Sequence, residues 1–266
     1  MSRLVYGLHP LKERLRRRNA GISAIWVDAA RASRDSDLKA LLAQLPDDIS
    51  AQRVSRDQLA RLCQSPSHQG VVAAVGDYIY VDLDDLLEGS GDDRPDTEKV
   101  DIDNLETHPA PKSSAPLLLI VDGVTDPQNL GAMLRSALVL GATGVVLTRD
   151  RCAQITPTVV RISSGASEHL ACARVTNLAR ALEHLKDLGV WIFGTVEAGG
   201  QPPASIDLTG PSALVLGSEG KGMRPNIRRH CDALITLPTP GPIVALNVAA
   251  ATTAIFYEAA RQRSES

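Results

Sequence analysis

Four polar side chains stand where the local fold has little need of them. Asn129 and Arg135 fall in DGVTDPQNLGAMLRSA (122–137), directly after the apolar run PLLLIV. Asp126 as a cap, Pro127 in the first turn and Gly131 as a close-packing position account for a helix there. They leave the asparagine and the arginine unexplained. Glu219 lies inside the glycine-rich LGSEGKGM (216–223), where a turn gains little from a carboxylate. Asn247 closes LPTPGPIVALN (237–247). The prolines of that loop fix backbone N–H and C=O groups in a way suited to reading a purine edge. Asn247 also has an ordinary use as the N-cap of the next helix.

The glycine-rich stretch is neither of the common nucleotide loops. A Walker A pattern counted from Gly217 requires Lys at 223 and Ser or Thr at 224, where this chain has Met223 and Arg224. The dinucleotide fingerprint fails as well, because the spacing is G-x-x-G-x-G and no acidic residue follows at the required distance. The six histidines are dispersed and the four cysteines form no C-x-x-C pair. No metal site is expected, and no Ser/His/Asp or Cys/His arrangement suggests a covalent intermediate.

These residues need strand ends and helix starts to hold them. From residue 116 the chain alternates apolar runs with helical patterns: PLLLIV, the helix QNLGAMLRSALVLG, then GVVLT. An amphipathic stretch, RVTNLARALEHLKDLG, reads as one helix; WIFGTV, SALVLG and ALITLP read as strands, and LNVAAATTAIFYEAARQR as a closing helix. Such alternation implies a parallel sheet covered on both faces, with ligands beyond the carboxyl ends of its strands. Residues 1–80 form a smaller α/β pattern: a helix from His9-Pro10, the strand ISAIWVDA, the helices DLKALLAQL and RDQLARLC, and the strand GVVAAVGDY. Between the two, residues 81–115 are acidic and rich in Gly, Pro and Ser, which predicts a flexible linker.

The net charge of −3 conceals an uneven distribution. Residues 82–103 carry ten acidic and two basic side chains, so the rest of the chain has a surplus of five positive charges. Arg14, Arg16, Arg17 and Arg18 cluster near the start, as a phosphate-contacting patch or as a solvated helix face. Aromatic residues make up only 3%, which excludes extended base stacking as the main mode of nucleic-acid binding. No apolar run has the length of a membrane span and no export signal is visible, so a cytoplasmic protein with reduced thiols is expected.

NLGAMLR, GSEGKGM and LPTPGPIVALN, with a helix ending YEAARQR, resemble the three signature motifs of the SpoU/TrmH branch of the SPOUT RNA methyltransferases, in order across residues 116–266. YGLHPLKERL and HQGVVAAV resemble the substrate-binding domain of the bacterial 23S rRNA guanosine-2′-O-methyltransferases. The resemblance implies an α/β fold: a parallel-sheet SPOUT domain with a deep trefoil knot, preceded by a small α/β RNA-substrate-binding domain. It implies S-adenosylmethionine as cofactor, a homodimer, and methylation of a guanosine ribose in the peptidyl-transferase loop of 23S rRNA. The same chemistry on tRNA or on an antibiotic-resistance site in rRNA stays open, as does a non-catalytic RNA-binding assembly factor.

Carried onto this chain, the resemblance places the cofactor at Gly194, Thr195, Glu197, Gly217, Leu237 and Leu246, the last pair and the backbone between them holding the adenine. Arg135 then faces the developing oxyanion or the adjacent phosphate. It acts as a stabiliser rather than a base, because arginine hardly deprotonates. Asn129, Glu219 and Asn247 position the ribose and the arginine. Arg14, Arg17 and Arg18 become the face for rRNA phosphates. In one departure, the usual Ser-Leu-Asn reads Ala245-Leu246-Asn247, followed by Ala249 where the family has a small hydroxyl residue.

Overall fold

In a computed structural model of the chain, the structure describes residues 3–16, 21–46, 49–87, 115–242 and 245–265. The N-terminal unit runs β1 (Arg3–Tyr6), α1 (Leu8–Leu15), β2 (Ile22–Asp28), α2 (Ala29–Ala32), α3 (Ser36–Leu42), β3 (Ala51–Val54), α4 (Arg56–Cys63) and β4 (Val71–Val75). The strand order is β1-β4-β2-β3. β4 lies antiparallel to β1 and β2, and β3 runs parallel to β2. VVAAV is buried along its whole length because it is central. Leu11, Leu38 and Leu41 from α1 and α3 join Val5, Ile25 and Val27 in one core, and Leu59 of α4 meets Tyr6 and Val72 in another.

The C-terminal unit runs β5 (Leu117–Asp122), α5 (Pro127–Val139), β6 (Gly144–Thr148), α6 (Pro157–Ile162), β7 (Ala171–Val175), α7 (Leu178–Asp187), β8 (Trp191–Thr195), β9 (Ser212–Gly217), α8 (Pro225–Arg228), β10 (Ala233–Ile235) and α9 (Val248–Glu265). Its six strands are all parallel, in the order β10-β8-β9-β5-β6-β7. The alternation of β5 divides the core. Leu117, Leu119 and Val121 pack with residues of α5, α6 and α9, whereas Leu118 and Ile120 pack with residues of α7 and α8. Gly131 is obligatory for the α5–α6 contact, since a Cβ there would lie 2.7 Å from Ile162.

Several expectations need correction. The stretch expected as one helix from Arg174 begins instead as β7, and its helix starts at Leu178 under an Asn177 cap. Small Ala and Cys residues pair with β6, so register decides where propensity does not. The expected linker is ordered at its start: Val81 bridges to Ala173, and Leu86 is 2% exposed in the C-terminal core. Its remainder, residues 88–114, lies outside the described residues.

Arg14 does not offer a phosphate contact. It is buried and donates to Glu168 Oε2 at 2.7 Å, while Arg3 donates to Glu168 Oε1 at 2.8 Å. This pair of bonds crosses between the two units, beside the packing of β1 and α1 on α6 and the Glu13–His169 pair. Burial alone would raise the Glu168 carboxyl, but the adjacent guanidiniums hold it below the usual carboxylate range. Tyr78 Oη donates to the carbonyls of Ser167 and Leu170 in the same seam. Arg17 and Arg18 lie outside the described residues.

Candidate active site

The carboxyl ends of β8, β9 and β10 and the start of α9 enclose a cleft of about 570 Å³. That volume is within the usual range for a small-molecule or cofactor site. Thr195, Glu197, Gly217, Leu237 and Leu246, five of the six positions that the resemblance gives to the cofactor, line it. Gly194 does not. It is buried one position earlier in β8, where a Cβ would strike Cys231 and Met223 at 2.6 Å, so it lets the wall behind the cleft close. At Gly217 a Cβ would lie 2.2 Å from Gly222 C and Met223 N. The 217–223 turn doubles back on this residue, and only glycine permits that approach.

The end of β5 anchors the same turn. Asp122 is 1% exposed and accepts from Arg224 N at 2.9 Å and Arg224 Nε at 2.6 Å. Sequence reasoning passed over it; a carboxylate ending the run LLLIV was the available signal. Arg228, Ser218 and Lys221 also line the cleft and were not anticipated.

Three of the four polar residues converge at the mouth. Asp126 caps α5 through Gln128 N at 2.9 Å, which sets Asn129 in its first turn. Asn247 accepts from Ala249 N at 2.9 Å through Oδ1 and thereby caps α9. Its Nδ2 donates to Asn129 Oδ1 at 3.0 Å and to Glu219 Oε1. Both amide protons are used, so the cap and the site are one arrangement. Asn129 Nδ2 and Glu219 Oε2 make no hydrogen bond among the described residues. A donor and an anionic acceptor thus remain open side by side.

Arg135 is not drawn into this cluster. Six residues beyond Asn129, it is turned roughly 120° around the α5 axis. It is exposed, with no hydrogen bond or ion pair among the described residues. Other reactive groups are quiet. Burial pushes the Cys152 and Cys231 thiols up to about 11 and Cys172 to about 12, so none is a ready nucleophile. His68 is 2% exposed and accepts from Gly70 N, a structural role. Among the described residues no group of His, Cys, Asp or Glu could hold a metal, and no helix is long and apolar enough to cross a membrane.

The cleft suits S-adenosylmethionine. Leu237, Leu246 and Ile255 offer apolar walls to an adenine, and Glu197 and Glu219 with Lys221 and Arg228 line the cleft with both signs of charge, as a ligand carrying a sulfonium, an amine and a carboxylate requires.

Fold and site together define an α/β protein with a cofactor-sized cleft at the carboxyl end of a parallel sheet, edged by an amide–carboxylate cluster. The chain belongs to the SpoU rRNA Methylase family, which matches residues 116–257; residues 4–81 match the RNA 2′-O ribose methyltransferase substrate-binding family. It is 39% identical to the 23S rRNA (guanosine-2′-O-)-methyltransferase RlmB of Photobacterium profundum, over 98% of each chain. The SpoU methyltransferase AviRb from Streptomyces viridochromogenes, solved in complex with AdoMet, covers 98% of this chain and 90% of its own, with a TM-score of 0.71 and 25% identity. An A. aeolicus TrmH/SpoU tRNA modifying enzyme, 29% identical with a TM-score of 0.54, covers only 59% of this chain and 79% of its own.

Proposed function

We propose that this chain transfers a methyl group from S-adenosylmethionine to the ribose 2′-hydroxyl of a guanosine in 23S rRNA, in the peptidyl-transferase loop. The observation that carries the reading is the Asn129–Asn247–Glu219 cluster at the mouth of the cleft. Bound there, S-adenosylmethionine supplies an electrophilic methyl on a sulfonium. Leu237 and Leu246 would hold its adenine, and Thr195, Glu197 and the Gly217 backbone would hold the remainder.

The protein's own work is positioning and electrostatics. A 2′-hydroxyl is a weak acid, and in-line displacement requires the reacting atoms within ~3–3.5 Å. Asn129 Nδ2 donates to a ribose oxygen, and Glu219 Oε2 accepts from the hydroxyl, orients it and takes the proton it loses. Asn247 keeps both side chains aimed. Arg135 stabilises the forming oxyanion or the neighbouring phosphate.

The N-terminal unit serves as the RNA-binding domain and residues 88–114 as its tether, with Arg17 and Arg18 as phosphate contacts. The C-terminal path supports a knotted crossing: β10 is the edge strand, yet α9 returns to pack against α5 and β9. A homodimer in the cytoplasm belongs to the same reading. Val139 of α5 is 76% exposed and Tyr257 of α9 is 61% exposed, apolar area of the kind a second copy covers. The direct test incubates purified protein with labelled S-adenosylmethionine and transcripts of 23S rRNA and tRNA. Label at one 23S guanosine 2′-oxygen is expected; label confined to tRNA, or to a base, contradicts the reading.

A further inference from the structure

The strand order lays the loops at the carboxyl edge of the sheet in a row. At one end, beside β7, the exit segment of the N-terminal unit reaches this edge through Tyr80, which lies under Arg174 and accepts from Ile155 N, while the unit itself docks on α6 and the turn before β7. Toward the other end the cleft opens over β9, β8 and β10. The segment after β6, residues 149–156, lies between them. An RNA that runs along this edge from the exit of the N-terminal unit to the cleft passes over it.

This exposed loop is braced from both sides. Ala153 N donates to Val124 O at 2.8 Å, tying it to the segment that leads into Asn129. Ile155 N donates to Tyr80 Oη at 3.2 Å, tying it to the exit of the N-terminal unit. Gln154 Nε2 donates to the carbonyls of Thr148 and Cys152 at 2.9 and 3.0 Å. The two arginines it carries make no use of that bracing. Arg149 and Arg151 are exposed, and their side chains have no hydrogen bond or ion pair among the described residues. Arg151 has a φ of 60°, a left-handed conformation that glycine adopts more readily. Arg174 is held 4.5 Å above the Tyr80 ring nearby. Asp150 offsets one of these three charges.

We propose that Arg149 and Arg151 form a phosphate-binding step that carries the RNA backbone from the N-terminal unit to the cleft. The proposal rests on the RNA-methyltransferase reading above and adds a contact to it. The two cations attract phosphate oxygens by charge, and such contacts set register without reading sequence. Bracing the loop in advance lowers the ordering required on binding.

The test uses the full-length chain with Arg149→Ala and Arg151→Gly, assayed on a 23S rRNA fragment across a salt series. Glycine accepts the positive φ at 151, so the melting temperature is expected to hold or rise. S-adenosylmethionine affinity by calorimetry and kcat stay within about twofold. The KM for RNA rises by roughly tenfold or more, and the slope of log KM against log salt falls by about 1.5. The pair Arg149→Lys and Arg151→Lys keeps most of the affinity. An unchanged KM and salt slope in the Ala/Gly variant overturns the proposal. So does an equal loss in the lysine pair, because charge would then not be the cause. If the wild type methylates no 23S fragment, the functional reading fails, and filter-binding affinity of the same variants for RNA still decides this proposal.

Discussion

Asn247 donates its side-chain amide to Asn129 Oδ1 at 3.0 Å across 118 positions of chain. The same side chain caps α9 through its oxygen. Capping therefore fixes which way the amide faces, and the N–H pair is delivered to Asn129 and Glu219 as a consequence.

Asn247→Asp separates the two roles. Aspartate caps a helix about as well as asparagine, so the melting temperature is expected to change little. A single acceptor oxygen would then face Glu219 and Asn129 where two N–H donors stood, and one carboxylate would repel the other. Methyl transfer is expected to fall by roughly 10²-fold or more, the scale of losing one positioned donor. Activity near wild type in this variant would show that the cluster is a structural cap alone.

Arg135→Ala tests the one member that stands apart. Loss of an oxyanion-stabilising cation lowers kcat by roughly 10²-fold or more, with S-adenosylmethionine affinity unchanged in calorimetry. Because Arg135 is exposed and without a partner among the described residues, its removal should leave stability within about 0.5 kcal/mol. Wild-type turnover would remove it from the mechanism.

Ala245→Ser restores the hydroxyl that the third motif usually carries. One neutral hydrogen bond is worth about 0.5–1.5 kcal/mol, so the gain in kcat/KM should not exceed about tenfold. A much larger gain would show that the native chain is a weakened catalyst.

Glu168 joins the two units, and its folded carboxyl is held below its ordinary value of 4.5. A depressed acid stabilises above its unfolded pKa and loses that contribution as pH falls through the folded one. The docked arrangement is therefore expected to loosen below about pH 4.5, read as a larger radius of gyration in small-angle scattering. Glu168→Ala removes the carboxylate that lies between two buried guanidiniums, which costs about 3–5 kcal/mol. It should give the expanded form at neutral pH, with a raised KM for RNA and unchanged cofactor affinity. A compact variant with wild-type KM would show that the ion pair does not set domain position.

The parallel sheet was legible because PLLLIV, GVVLT and SALVLG are short apolar runs with helices between them, and burial on both faces leaves few alternatives. β7 was not, because ACARV runs straight into the helical pattern that follows, and only its pairing with β6 makes it a strand. Asn129 and Glu219 stood out as residues the local fold left unexplained, whereas Asn247 had a local use as a cap and was singled out by the resemblance. Arg14 misled, since a charge run in sequence does not reveal that one member turns inward to a carboxylate 154 positions away. Asp122 stayed hidden for the same reason: its partner, Arg224, belongs to another loop. Spacing along a chain predicts elements, whereas long-range ion pairs are set by how those elements stack.

The central claim is a specific 2′-O-methylation that depends on this chain. Mapping 2′-O-methyl groups across total RNA, from cells with and without the gene, tests it most directly. Loss of one modified guanosine in 23S rRNA is expected, restored by the wild-type gene and not by Asn247→Asp. An unchanged 23S pattern, or a loss confined to tRNA, would contradict it.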